Sequence, residues 1–321
     1  MKIGVVGCGA LGSYYGAKLC RAGADVHFLL RSDYEVVRRQ GVRILSPEGD
    51  FTVRPRSARE PMEIGVCELV LIGLKTTANE QFPRLLPPMV GEGTAVLTLQ
   101  NGLGNEEALA ELFPVEQILG GLCFVCLNRT EPGVIQHLAH GKIILGEFRR
   151  RPLPRTYDLA GRFKQAGIPC KVVEDLESAH WEKLVWNIPF NGLGVASAAG
   201  YESVVAGEIR TSTSRGACLT TDRLLDGGRW EALVVELMQE VIAAANGMGL
   251  GLSREIAGKQ VERTRVMGAY KPSTLVDFER GQPLELEHLF QEPLRRARAA
   301  GVPAPRLTSL CRALERLSAV P

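Results

Sequence analysis

No stretch of this 321-residue chain approaches the ~20 consecutive apolar residues that a bilayer-spanning helix needs, so no membrane partner is expected. Neither sign of charge dominates. There are 38 Lys and Arg against 36 Asp and Glu, a formal net charge of +2. Short basic runs at Arg149–Arg151 and Arg295–Arg298 read as solvated faces, and nucleic acid is not expected as a partner. Low-complexity tracts and internal repeats are missing. The 8 cysteines are scattered at 8, 20, 67, 123, 126, 170, 218 and 311, without the spacing of a disulfide scaffold. Reduced thiols and a cytoplasmic location are the expectation. Cys123 and Cys126 form C-x-x-C inside a predicted strand, and His137 and His140 form H-x-x-H without a nearby carboxylate, so no metal site is expected. The chain opens MKIGVVGCG, which reads as a strand and not as a signal peptide.

What is present is core-forming material. Hydrophobic residues make up 45% of the chain, and the length suits two domains. The first half alternates short β-rich runs with helical stretches: KIGVV at Lys2–Val6, DVHFLL at Asp25–Leu30, LVLIGL at Leu69–Leu74 and AVLTL at Ala95–Leu99, with a helix over Ala10–Arg21. Such βαβ alternation predicts a doubly wound sheet. More closely connected strands are expected between Ile118 and Phe148, at the far edge of the sheet. Beyond Val173 helical periodicity takes over, at Glu177–Phe190, Arg229–Asn246, Arg254–Val266, Leu284–Ala300 and Arg306–Ser318. Leu233, Leu237, Met238 and Val241 read as helix core. The expected fold is α/β: an N-terminal Rossmann-type doubly wound sheet over residues 1–174, followed by an all-helical C-terminal domain over 175–321.

GCGALG at Gly7–Gly12 matches G-x-G-x-x-G, a weak signal alone in a chain with 35 glycines. Its context strengthens it, because it follows a predicted strand and opens a predicted helix. Gly7 permits the tight turn, Gly9 lets the backbone approach a pyrophosphate, and Gly12 allows close helix packing. Cys8, Ala10 and Leu11 complete a loop that offers backbone N–H groups to phosphate at a helix N-terminus. About 20 residues on, an NAD site places Asp or Glu at the end of the second strand to hold the ribose 2′-hydroxyl. This chain places Arg31 there, with Ser32 beside it. A guanidinium suits a 2′-phosphate, so NADP(H) is the expected cofactor. Asp33 lies close by, one turn position late.

Two further strands end in Lys75 and Asn101, at the edge where open α/β sheets bind ligands. Taken alone, a loop lysine and an Asn-Gly turn explain them equally well. HWEKLVWNIPFNGLG, His180–Gly194, sets Lys183, Asn187 and Asn191 four residues apart on one helix face. That face could be solvated, or it could line a site for a small polar molecule. Pro189 removes an N–H and crowds the carbonyl four residues back; with Gly192 and Gly194 following, the helix is expected to kink or end here.

With these residues in view, the chain resembles the ketopantoate reductase (2-dehydropantoate 2-reductase) family. The likeness rests on GCGALG at 7–12, Arg31, LKTT at 74–77, QNGLGNEE at 100–107, WEKLVWNIPFN at 181–191, PSTLVDFERGQPLELE at 272–287 and GVPAP at 301–305. It implies a Rossmann domain followed by a helical domain with the active site in the cleft between them, and NADPH as hydride donor to a small 2-oxo acid. It also implies Lys183 as catalytic lysine, Asn187 and Asn191 as substrate contacts, and Asn101 near both nicotinamide and substrate. Lys75 is implied as a cofactor contact, Ser273 as a substrate-carboxylate contact and Glu285 as an acidic residue near Lys183. Hydride transfer leaves negative charge on the substrate oxygen, which an ammonium can stabilise and then protonate. Burial would ease proton release from Lys183 and a nearby Glu285 would oppose it. The chain departs from the family pattern in two places. NGLGVASAAG stands where the family continues N-P-L-T-A-L, and LELEHLFQ stands where it reads T-E-I-D with an Asn-Gly pair soon after. The activity so implied is NADPH-dependent reduction of 2-dehydropantoate to (R)-pantoate. Reduction of another branched 2-oxo acid and a non-catalytic NADP(H)-binding sensor are the alternatives. A homodimer is the candidate assembly.

Overall fold

Lys2–Val6 forms β1, four of its five residues fully buried, and it runs directly into the glycine loop and helix α1, Ala10–Arg21. The structure, a computed structural model, describes residues 1–208 and 216–319. Parts of the expected helical domain, 209–215 and 320–321, therefore lie outside the described residues. The chain divides into two compact units: Met1–Asn101 with Asn105–Leu176, and Gly102–Gly104 with the chain from Glu177 onward. The boundary expected from sequence was 174/175, with no provision for the short excursion at Gly102–Gly104.

The first unit carries a 10-stranded sheet in the order β4-β3-β9-β8-β7-β6-β1-β2-β5, with β10 pairing β9. The strands are β2 Asp25–Leu29, β3 Val42–Leu45, β4 Phe51–Val53, β5 Arg56–Ala58, β6 Leu69–Ile72, β7 Ala95–Thr98, β8 Ile118–Glu131, β9 Val134–Glu147 and β10 Cys170–Val172. From β8 through β7, β6, β1 and β2 to β5 all neighbours are parallel, while β8 and β9 form a long antiparallel hairpin. Parallel strands are buried on both faces, and alternate residues here feed two cores. Ile3, Val5, Leu69, Leu71, Leu97 and Leu119 pack with Tyr14 and Tyr15 of α1 and with Phe163. Val6, Val70, Ile72, Val96 and Ile118 pack on the opposite face with Phe82, Leu86 and Met89. Because β1, β2, β6 and β7 are parallel, their C-terminal ends share one edge. The order reverses at β1, flanked by β2 and β6, the switch point at which open α/β sheets bind ligands.

The second unit is helical among the described residues. Its axis is the 21-residue helix Leu176–Ala196, whose Leu184, Val185, Ile188, Phe190, Leu193 and Val195 enter one core with Leu237, Met238 and Val241 of Arg229–Gly247 and Leu307, Leu310 and Leu314 of Pro305–Ser318. No helix among the described residues is long and apolar enough to cross a membrane. Of the kink or end expected around Pro189 and Gly194, the end is not found: the helix runs through Pro189 to Ala196. Proline withholds a single N–H, from the Val185 carbonyl, and burial of the following residues outweighs that loss. The helix expected at Leu284–Ala300 is also revised. It begins with a π turn at Glu287–Gln291, followed by an α-helix at Glu292–Ala299.

Candidate active site

The glycine loop has the geometry of a phosphate cradle. Gly7 has φ +90, and a Cβ there would meet Leu74 N at 2.2 Å, so no side chain fits. At Gly12 a Cβ would meet Gly7 O at 2.3 Å, whereas at Gly9 it would meet nothing within 4 Å. The loop is thus closed on its inner side and open where a pyrophosphate would lie. Among the described residues no side chain caps the start of α1 and its first turn holds no acid, leaving N–H groups and the positive dipole end for an anion. Ser13 steadies the turn, donating Oγ–H to Cys8 O at 2.9 Å. Burial and the nearby Asp33 carboxylate push the Cys8 thiol well above its ordinary value, so it stays protonated and unreactive.

At the end of β2, Arg31 and Ser32 are exposed and Asp33 is buried. Asp33 is fully engaged. Arg129 Nε donates to its Oδ2 at 2.9 Å, a second Arg129 nitrogen donates to Oδ1, the Gly133 amide donates to Oδ2 at 3.1 Å, and Ser32 Oγ donates at 2.9 Å. Burial alone would raise the carboxyl, but these donors together hold it below its ordinary value. The acid that could have served a ribose diol is locked into the fold, and the exposed group is a guanidinium. Sequence reading placed Asp33 as merely late by one position; the partner that removes it, Arg129 on β8, was not legible.

Lys75 is exposed, just beyond β6, at the cap position of a short 3₁₀ helix, Thr76–Gln81. Asn101 is half-buried beyond β7. A chain of amides that sequence analysis missed supports both loops. Thr98 donates to Gln100 Oε1 at 2.9 Å, Gln100 Nε2 to Asn79 Oδ1 at 2.7 Å, Asn79 Nδ2 to Asn105 Oδ1 at 2.9 Å, and Asn105 Nδ2 to the Asn101 carbonyl at 3.1 Å. Gln100 is 4% exposed and Asn105 0%, so the chain runs inside the protein, where satisfied polar networks rigidify their surroundings. The glycine loop, Arg31, Lys75 and Asn101 therefore all stand at one edge of the sheet.

In the second unit the stripe on Leu176–Ala196 is not a solvated face. Lys183 is half-buried, Asn187 is 7% exposed and Asn191 3%. Asn191 Oδ1 accepts the Thr274 amide at 3.0 Å and the Ser273 hydroxyl at 3.4 Å, so Asn191 and exposed Ser273 are brought together. With Oδ1 so committed, the Asn191 NH2 is the part turned to donation. Beside the stripe stands an aromatic wall: Trp186 packs on Phe190 with centroids 5.0 Å apart and on Tyr270 at 6.2 Å, and its Nε1 donates to Thr264 Oγ1 at 2.8 Å. Glu285 is half-buried in the segment entering the π turn. Chemically, the stripe offers one cation and two amides to a small oxygen-rich molecule.

A family model described as "Ketopantoate reductase PanE/ApbA" matches residues 3–150, and one described as "Ketopantoate reductase PanE/ApbA C terminal" matches 209–318. The 2-dehydropantoate 2-reductase of Nostoc sp. is 40% identical over 315 residues, covering 96% of this chain and 92% of that protein. The structure of 2-dehydropantoate 2-reductase from Geobacter metallireducens superposes with a TM-score of 0.89 at 46% identity, covering 98% of this chain and 99% of that one. That from Methylococcus capsulatus gives 0.84 at 35% identity, covering 99% and 96%.

Proposed function

The chain belongs to the ketopantoate reductase PanE/ApbA family, and from that premise we propose that it reduces 2-dehydropantoate to (R)-pantoate with NADPH. Residues 1–174 serve as the NADP-binding domain and 175–321 as the substrate-binding, catalytic domain. Gly7–Gly12 cradle the pyrophosphate, Arg31 takes the ribose 2′-phosphate, and Lys75 and Asn101 contact cofactor, Asn101 also reaching substrate. NADPH, when bound, supplies the hydride that turns the ketone carbon into an alcohol carbon. Lys183 donates a hydrogen bond to the ketone oxygen, stabilises the negative charge that develops there, and gives up the proton that completes the hydroxyl. Glu285 orients the ammonium. Asn187, Asn191 and Ser273 bind the hydroxyl and carboxylate oxygens of the substrate.

The observation that carries this reading is the withdrawn polar stripe. An ammonium and two amides held on one helix face, with Asn191 bonded to the Ser273–Thr274 turn, suit a small carboxylic acid. The choice of NADPH over NADH rests on exposed Arg31 beside an Asp33 already engaged by Arg129. Purified protein is expected to oxidise NADPH on addition of 2-dehydropantoate, faster than with other branched 2-oxo acids. Lys183→Ala is expected to lose about 10²–10⁴-fold in kcat while still binding NADPH, the range for loss of a general acid. Unchanged turnover in that variant, or tight NADPH binding by the wild type with no turnover on any oxo acid, would overturn the assignment.

A further inference from the structure

The segment Gly102–Gly104, between Asn101 and Asn105, sorts with the second unit, and one side chain grips it. His288 Nδ1 lies 2.8 Å from the Leu103 carbonyl, and the Leu103 amide donates to the His288 carbonyl at 2.9 Å. A carbonyl can only accept, so Nδ1 carries the hydrogen. The same residue thus holds both polar groups of Leu103, one through its ring and one through its backbone. Leu103 itself is 3% exposed and lies in the helical core.

The His288 carbonyl is available because of the local sequence. In the π turn Glu287–Gln291, the Glu292 amide returns to the Glu287 carbonyl, which takes the donor four residues after His288. Five residues after it stands Pro293, which has no N–H. The His288 carbonyl accepts the Leu103 amide from outside the helix. The approach is close enough to dictate the residue opposite. A Cβ on Gly102 would lie 2.3 Å from the His288 oxygen. Gly102 and Gly104 have φ +85 and +89, in the region glycine alone enters without strain. Two such glycines make a freely hinged turn unless something pins it.

We propose that His288 is a positioning residue: its Nδ1–H pins the Gly102–Gly104 turn and so sets the direction in which Asn101 is presented. The Asn105 side chain, bonded to the Asn101 carbonyl at 3.1 Å, closes the turn at its base, and His288 holds its tip. The inference deepens the reading of Asn101 given above and rests on it. The π turn is then a device for aiming a residue outside itself, consistent with the frequent placement of such turns at functional sites.

The test uses His288→Leu, which keeps bulk and removes the donor, and His288→Asn, whose side-chain NH2 reaches the place of Nδ1. With NADPH and 2-dehydropantoate, His288→Leu is expected to lose about 10–100-fold in kcat, the scale of a small misplacement near the reacting atoms. Its KM for NADPH should stay within about twofold of the wild type and its melting temperature should be retained, and His288→Asn should recover most of the rate. Hydrogen exchange supplies a readout independent of turnover: the Leu103 amide should exchange faster in His288→Leu and at near the wild-type rate in His288→Asn. A kcat unchanged in His288→Leu, an equal loss in both variants, or unchanged Leu103 exchange would overturn the inference. Should the wild type reduce no oxo acid, the proposed activity fails, and the exchange pair still decides whether His288 pins the turn.

Discussion

Asp33 and Arg31, two residues apart, have opposite fates, and the difference is one of partners. Asp33 receives hydrogen bonds from Arg129, Ser32 and the Gly133 amide, with its side chain 8% exposed against 37% for Arg129. Burial raises its carboxyl and the donors lower it further, so the net value lies below the ordinary 3.8. A carboxyl lowered on folding contributes stability that is present above the unfolded value and disappears as pH falls through the folded value. Asp33→Asn is therefore expected to cost on the order of 2 kcal/mol at neutral pH, the scale of charge-assisted hydrogen bonds to a half-exposed partner. The gap between variant and wild type should narrow below pH 3.8. Urea titrations at neutral and acidic pH measure it, and a gap independent of pH would contradict the role of the ionised carboxylate. None of this was legible from sequence, because Arg129 lies 96 residues away and only the pairing of β8 with its neighbours brings it back.

Helix Leu176–Ala196 shows where local rules yield to packing. Pro189, Gly192 and Gly194 each argue for an end or a kink, yet the helix continues through all of them. Gly192 is there for space: a Cβ on it would lie 2.6 Å from Leu310 Cδ2 and 2.9 Å from Phe290 Cε1. Gly192→Val is expected to cost about 1–3 kcal/mol through overpacking. Gly258, exposed in Glu255–Arg265, gives the contrast, since a Cβ there would meet nothing within 4 Å. Gly258→Ala should gain about 0.5–1 kcal/mol from helix propensity. Urea midpoints for the two variants should move in opposite directions, and a shared direction would refute the packing account. The stripe of Lys183, Asn187 and Asn191 was legible because a period of four on a helix is a property of the residues in order. That it is withdrawn from solvent was not, since its depth is set by Thr274, Tyr270 and their neighbours on other elements.

At the scale of the whole molecule, each unit has its own core, and the proposed cofactor engages chiefly the first. A ligand that binds only the folded state stabilises it by RT ln(1 + [L]/Kd), about 2.7 kcal/mol at a hundredfold excess over Kd. NADPH is thus expected to raise the melting temperature more than NADH at equal concentration, because only NADPH offers Arg31 a 2′-phosphate. Arg31→Ala should bring the two shifts together. Equal shifts by both cofactors in the wild type would remove the argument for NADPH. The balanced charge of +2 keeps this contrast a local effect of one guanidinium and leaves no general attraction for anions.

The order of residues alone determined the βαβ beginning, the glycine loop, the change to helix beyond Val173 and the i, i+4, i+8 stripe. Each depends on neighbours within a few positions, where periodicity and glycine stereochemistry act directly. Tertiary structure alone decided that Asp33 is consumed by Arg129, that Asn79, Gln100 and Asn105 form one chain, and that His288 grips Leu103 across 185 positions. It also decided that the long helix survives its proline. In those cases the free energy comes from hydrogen bonds and burial between distant segments, and no local pattern encodes which segments will meet.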